Sequence, residues 1–327
     1  MGVRNPCKSL YDMPMGKASR TKQDSDRRAR IAQQREAQRR AEQRKRIYWA
    51  GGSILVVAIV VVAFVLVKLN SSSGSGPTAP TGAALAAVTK QVTDIPTSVT
   101  DSVAGGGVEK GVFVSGETSA ELSSAAQNVG SYFATINSTP LTSGGKPEVL
   151  YLGGEYCPFC ATQRWAMVNA LSRFGTFKGL TATHSSGTDV DPNTPTFTFY
   201  KSTFTSSYIN FTPVEEYGAT STTTLQTPTA AEAQLGTTFD PGSAIPFMDI
   251  GGKYAQVGNL APLAPTMLAG KTWAQIAAAM SDPTSSLGKA EIGNANYMTA
   301  AICQLTKNLP ASACTSTIQG LEADFAS

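Results

Sequence analysis

The hydropathy pattern of the chain is dominated by one uninterrupted apolar run, IYWAGGSILVVAIVVVAFVLV, from Ile47 to Val67. Its 21 residues carry no charge. At the rise of a helix they reach about 30 Å, the thickness of a bilayer's hydrocarbon core. The run is too long and too uniformly apolar for a buried helix of a soluble domain. It also starts too far into the chain for a cleaved signal peptide. Tyr48 and Trp49 stand where interfacial aromatics belong. The pattern predicts a single transmembrane helix acting as a signal anchor.

Beyond the run the pattern changes to short periods. NSSSGSGPTAPTG (Asn70–Gly82) is a stretch of small polar residues, so 68–82 reads as a flexible linker. AALAAVTKQVTDI reads as a helix ending before Pro96, and GVFVSG as a short strand. The alternation then predicts an α/β domain over 83–327, with its redox core starting near 146. EVLYLGG (Glu148–Gly154) is a buried strand, and 157–174 a helix with Val168, Leu171 and Phe174 on one stripe. GLTATHSS is a further strand. TFTFYKS and SSYINFTPVEE form an extended pair, and Ala230–Leu235 a helical insertion. AIPFMDIGGKYAQVG is a hairpin with a Gly-Gly turn. TWAQIAAAM and part of 285–308 are helices.

Charge orients this arrangement. Residues 1–46 carry a net charge of +9, whereas the rest of the chain carries −6. QRKR (Gln43–Arg46) abuts the apolar run and only Lys68 follows it, which places the basic arm in the cytoplasm and the domain outside. In that arm Ile31 is the one large apolar residue of RTKQDSDRRARIAQQREAQRRAEQRKR, so no face is available to bury. The arm reads as a topology determinant that also touches anionic lipid, not as a nucleic-acid binder. Its lone Cys7 has no evident partner.

The outer part holds four cysteines, Cys157, Cys160, Cys303 and Cys314. An even count in an oxidising compartment suggests pairs. Cys303 and Cys314 bracket a loop containing Pro310, and a structural disulfide is expected there. Cys157 and Cys160 lie one helical turn apart, at the start of a helix that follows a strand ending in Gly153–Gly154. Unpaired N–H groups and the helix dipole favour a thiolate at Cys157, which makes it both a nucleophile and a good leaving group. Pro158 costs little in the first helical turn. Phe159 lies between the cysteines and is expected to tune the couple. Cys160 is placed to attack a mixed disulfide at Cys157. Pro246, taken alone, is a strand-start proline.

Cys-Pro-Phe-Cys, the strand before it, the helix after it and the later Ile245-Pro246 together resemble the exported, membrane-tethered thioredoxin-fold disulfide oxidoreductases. More narrowly, EVLYLGGEYCPFCATQRWAMVNALSRFGTF and THSSGTDVDPNTPTFTFY are similar to a prokaryotic family known only as a domain of unknown function and regarded as thioredoxin-like. The similarity spans about residues 83–325 and is strongest from 146 to 200. It implies a thioredoxin-like fold with a helical insertion. It also implies a cis bond at Ile245-Pro246 lying against the cysteine pair, and a redox site made of Cys157 and Cys160. The implied partners are protein thiols or disulfides and a redox protein that resets the couple. No organic cofactor or metal is required, because the cysteines carry the electrons. The long insertion and the C-terminal cysteine pair depart from a minimal thioredoxin.

Two other functions fit the same residues. The cysteines could hold a soft metal such as zinc or copper, although the ten residues between Cys303 and Cys314 exceed the usual zinc spacing and no Met/His cluster accompanies them. The domain could also be a non-catalytic interaction module with a structural Cys157–Cys160 bond. Glu155 reads as a solvated loop carboxylate, Arg164 as a surface cation, Trp165 as a packed aromatic and His184 as a strand-end histidine. The charge flanks predict that a reporter fused after residue 327 is active outside the cytoplasm. Resistance of residues 83–327 to protease added to intact spheroplasts would overturn that topology.

Overall fold

The computed structural model describes residues 76–116, 119–136 and 138–326. The basic arm, Cys7, the span expected at 47–67 and the first part of the linker lie outside the described residues. Among the described residues no helix is long and apolar enough to cross a membrane.

The strands are β1 (Phe113–Ser115), β2 (Tyr132–Thr135), β3 (Thr142–Ser143), β4 (Lys146–Gly153), β5 (Gly175–Lys178), β6 (Thr181–His184), β7 (Pro195–Thr198), β8 (Thr203–Ser206), β9 (Asn210–Glu215), β10 (Phe247–Ile250) and β11 (Tyr254–Val257). The helices are α1 (Gly82–Thr93), α2 (Thr97–Val103), α3 (Ser119–Val129), α4 (Pro158–Ser172), α5 (Ala230–Phe239), α6 (Trp273–Met280), α7 (Ser286–Leu305) and α8 (Ser316–Gly320). The fold is mixed α/β around a central sheet ordered β1-β2-β11-β10-β4-β9, with β3 folded back on the start of β4. β9 runs parallel to β4, from Glu148 opposite Asn210 to Gly153 opposite Glu215. β10 and β11 join as the expected antiparallel hairpin. At its turn Gly251 and Gly252 both take positive φ, 67° and 72°, which side-chain-bearing residues rarely adopt.

The period of two in β4 sorts its side chains between two cores. Val149 and Tyr151 join the larger one with α4, α6 and α7. Leu150 and Leu152 face a smaller one with Leu122 of α3 and, at its edge, Leu235 and Phe239 of α5. The expected apolar stripe on α4 is present, since Val168, Leu171 and Phe174 are buried. The helix is, however, buried on every side, with all residues from Cys160 to Leu171 enclosed. α7 is enclosed as completely from Ala290 to Cys303, and the two helices pack together.

β1 and β2 precede residue 146 and belong to the same sheet as β4. Two expectations are corrected. TFTFYKS and SSYINFTPVEE do not pair with each other. Instead β7 pairs with β6, β8 with β5, and β9 with β4. Alternation in a strand says which face is apolar but not which partner lies beside it, and here the distant parallel partner wins. The linker is docked at its C-terminal end, where the Pro77 carbonyl meets His184 Nε2 at 2.6 Å.

Cys303, near the end of α7, is bonded to Cys314 as expected. Both sulfurs are buried under the C-terminal segment. The bridge closes a short loop, which on the chain-entropy account stabilises by about 2–3 kcal/mol. A Cys303→Ser, Cys314→Ser variant should therefore melt about 5–10 °C lower. Thiol–disulfide exchange at Cys157 and Cys160 should persist below the new transition. An unchanged melting temperature in calorimetry, with exchange lost, would instead make this pair part of the redox chemistry.

Candidate functional site

The site begins where β4 ends. Gly153 must be glycine, because a Cβ there would sit 2.1 Å from the Tyr151 hydroxyl. The following loop is held by backbone hydrogen bonds: Glu216 N–H donates to Gly153 O (2.7 Å), Glu155 N–H to Tyr217 O (2.8 Å) and Ser186 N–H to Tyr156 O (2.8 Å). These bonds deliver Cys157 to the N-cap of α4, with Pro158 at the first helical position. A proline there gives up an N–H that would have no helical acceptor anyway.

Cys157 and Cys160 are both free thiols. The Cys157 sulfur accepts the Cys160 N–H at 3.3 Å, so it serves as the side-chain cap of its own helix. Its thiol donates to the Ile245 carbonyl at 3.6 Å. The Ile245-Pro246 bond is cis, as expected, and it sits directly before β10. Cys157 retains 5% exposure and Cys160 none. Phe159, between them, is 40% exposed, so an apolar side chain faces solvent beside the one sulfur that solvent can reach. On the other side Tyr156 and Tyr217 pack edge to face at 6.2 Å.

The two thiols are electrostatically unequal. The Cys160 side chain hydrogen-bonds Cys157 and holds its thiol below the ordinary cysteine range. The N–H groups of Cys160 and Phe159 and the charge of Arg164 act in the same sense, and burial opposes them. Burial pushes Cys160 well above that range, and its hydrogen bond and proximity to Cys157 add to the effect. Cys157 is therefore the more acidic thiol and Cys160 the one whose proton is held.

Arg164 overturns the surface-cation reading. It lies one turn after Cys160, is fully buried, and makes a bidentate pair with Glu215 at the end of β9, through Nε to Oε1 (2.8 Å) and Nη2 to Oε2 (2.6 Å). Its guanidinium carbon stands 5.9 Å from the Tyr151 ring centre, and its Nη1 has no acceptor among the described residues. Glu215 Oε1 also accepts the Phe199 N–H at 3.2 Å. A polar residue in the middle of ATQRWAMVNAL was the available signal, since that helix has no polar face for a solvated arginine to join. Glu215 and Tyr151 carried no such mark.

Trp165 is packed as expected, its indole N–H donating to Pro195 O at 2.9 Å. His184 stands at the end of β6 against Trp273, with ring centres 4.7 Å apart, and its Nε2 is occupied by Pro77. Burial lowers its pKa, and the bond to Pro77 opposes that shift. Glu155 is half-buried in the loop before the cysteines. Because Cys303 and Cys314 are bonded to each other, the four-cysteine zinc set is not assembled. Among the described residues no three of His, Cys, Asp or Glu gather as metal ligands.

The inequality of the thiols sets their pH behaviour. A lowered pKa means that thiolate forms at Cys157 at a lower pH than in a free cysteine, and alkylation follows thiolate. In the reduced full-length chain Cys157 should reach its full iodoacetamide rate below the pH that a free cysteine needs. Cys160 should stay unmodified through that range. Mass spectrometry of pulse-labelled protein checks this, and equal rates at both positions across pH 5–9 would contradict the assignment of roles.

Residues 132–233 match a family described as a domain of unknown function, DUF929. The match covers about a third of the chain. It runs from β2 into α5 and contains both thiols, Arg164 and Glu215, but stops before Pro246 and the bonded cysteines. No curated protein and no solved structure matches the chain.

Proposed function

We propose that this chain is a membrane-tethered, extracytoplasmic thiol–disulfide oxidoreductase acting on proteins through Cys157 and Cys160. The observation that carries the reading is the asymmetry of the pair. One sulfur caps a helix, touches the Ile245 carbonyl and keeps some exposure, while the other is enclosed one turn on. The strand order supports a thioredoxin-like core. β4, α4 and β9 form a βαβ unit with parallel strands, the β10–β11 hairpin follows on the other side of β4, and α7 packs on α4. α5 falls between β9 and β10, where the helical insertion was expected. The Cys303–Cys314 bond is in keeping with an oxidising compartment, and the apolar run at 47–67 with its basic flank supplies the tether and the orientation.

The chemistry balances as follows. The Cys157 thiolate attacks one sulfur of a client disulfide, a Cys157–client bond forms, and the second client sulfur leaves as a thiolate that takes up a proton. Cys160 then loses its proton and attacks the Cys157 sulfur. The Cys157–Cys160 bond forms, and the first client sulfur departs. Two electrons have moved from the chain to the client, and the reverse sequence oxidises a client dithiol. A dithiol or disulfide redox protein of the opposite state resets the couple.

The full-length chain carrying Cys160→Ala should accumulate mixed disulfides with client proteins in cells, visible on non-reducing gels and released by dithiothreitol. The Cys157→Ala chain should accumulate none. Equal trapping by both variants, or trapping by neither, would refute the proposal.

A further inference from the structure

The Ile245 carbonyl that meets Cys157 belongs to a residue that also lines a cleft of about 160 Å³. The walls of the cleft are the end of β4, the residue after β9, α5 and the loop leading to Ile245. Leu152, Ala233, Ile245 and Phe247 give it an apolar lining. Glu216 and Asp240 also line it. Among the described residues no lysine, arginine or histidine does.

Asp240 is 2% exposed, and its Oδ1 oxygen has no hydrogen-bond partner among the described residues. A buried carboxylate with an unmet oxygen is costly unless something supplies a donor. Burial pushes its pKa up to about 6, and the backbone N–H groups of Gly242 and Ala244 oppose the shift. Burial likewise raises Glu216. The backbone N–H of Glu216 donates to Gly153 O at 2.7 Å, in the loop that leads to Cys157. Through Glu216 and Ile245 the cleft therefore adjoins the backbone that positions Cys157.

We infer that this cleft is a specificity subsite which takes one basic side chain, lysine or arginine, of a client polypeptide next to the cysteine that reacts at Cys157. The inference rests on the oxidoreductase reading and adds a substrate class to it. The volume suits a single side chain and falls well below that of pockets for drug-sized ligands, which are roughly 300 Å³ or more. A long basic side chain fits both halves of the lining. Its methylene stem covers Leu152, Ala233 and Phe247, and its charged head supplies a donor to Asp240 Oδ1 and a countercharge to Glu216. α5, which separates β9 from β10, supplies one wall and so has a use at the site.

The test separates binding from chemistry. Short fluorescent peptides carry serine in place of the reactive cysteine, flanked by lysine, norleucine or glutamate. Their anisotropy is measured with the purified full-length chain at pH 7.5 and with the variants Glu216→Gln, Asp240→Asn and Thr237→Lys. The lysine peptide should bind about tenfold more tightly than the norleucine peptide. Glu216→Gln and Asp240→Asn should each reduce that preference to within about twofold. Thr237→Lys, a change at an exposed position of the α5 wall, should abolish it by supplying a competing cation in a chain whose fold is untouched. Equal affinity of the three peptides for the unaltered chain would overturn the inference. So would a lysine preference that survives Thr237→Lys. The corresponding cysteine-disulfide peptides are then tested for exchange at Cys157. If lysine is preferred in binding but no peptide exchanges, the oxidoreductase reading fails while the cleft assignment stands.

Discussion

The arrangement of the site depends on one buried ion pair. α4 must carry Cys157 at its N-cap while every side chain from Cys160 to Leu171 is enclosed. Arg164 lies within that enclosed stretch, and an unpaired guanidinium there would cost several kcal/mol in lost hydration. Glu215 neutralises it through two parallel hydrogen bonds of 2.6 and 2.8 Å. Such a fork has little freedom of angle. It fixes the rotation of α4 about its own axis relative to β9, and β9 is the parallel neighbour of the strand that delivers the cysteine loop. Losing one member of a buried pair costs about 3–5 kcal/mol, whereas exchanging both for apolar residues can be nearly neutral. The pair is therefore better understood as setting orientation than as a net source of stability.

The same pair shapes the thiols. Arg164 follows Cys160 by one turn, and its charge acts on both thiols. Its charge favours the thiolate at both sulfurs, yet the outcome differs. Cys157 also receives N–H donors from the helix start, and Cys160 is further from water. The hydrogen bond from the Cys160 side chain, with the N–H groups of the helix start acting in the same sense, makes Cys157 the acidic sulfur, and burial keeps the proton on Cys160.

Away from the thiols, polar side chains buried in the helices hold irregular backbone in place. Asn294 of α7 accepts the Leu260 N–H and donates to the Leu260 carbonyl, both at 3.0 Å. Asn296 donates to the Thr100 and Ala104 carbonyls at the end of α2. Asn169 of α4 donates to the Val92 carbonyl of α1 at 2.8 Å. Each ties a side chain of an enclosed helix to the backbone of another segment. These clamps, with the Cys303–Cys314 bond, attach the N-terminal helices and the C-terminal segment to the enclosed pair α4 and α7.

The sequence by itself determined much of this. The strand–Cys-Pro-Phe-Cys–helix order, the hairpin after Ile245-Pro246, the insertion helix, α6, α7 and the Cys303–Cys314 pairing were all legible, because each rests on local periodicity, turn chemistry or cysteine count. The burial of Trp165 and the strand-end place of His184 were legible for the same reason. What only tertiary structure decided was which distant segments meet. The parallel pairing of β4 with β9, the recruitment of β1 and β2, the docking of Pro77 on His184 and the meeting of Arg164 with Glu215 are contacts between residues far apart in the chain. No periodicity encodes them. An arginine in a helix is solvated or buried according to whether a carboxylate is waiting opposite, and that carboxylate lies 51 residues further on.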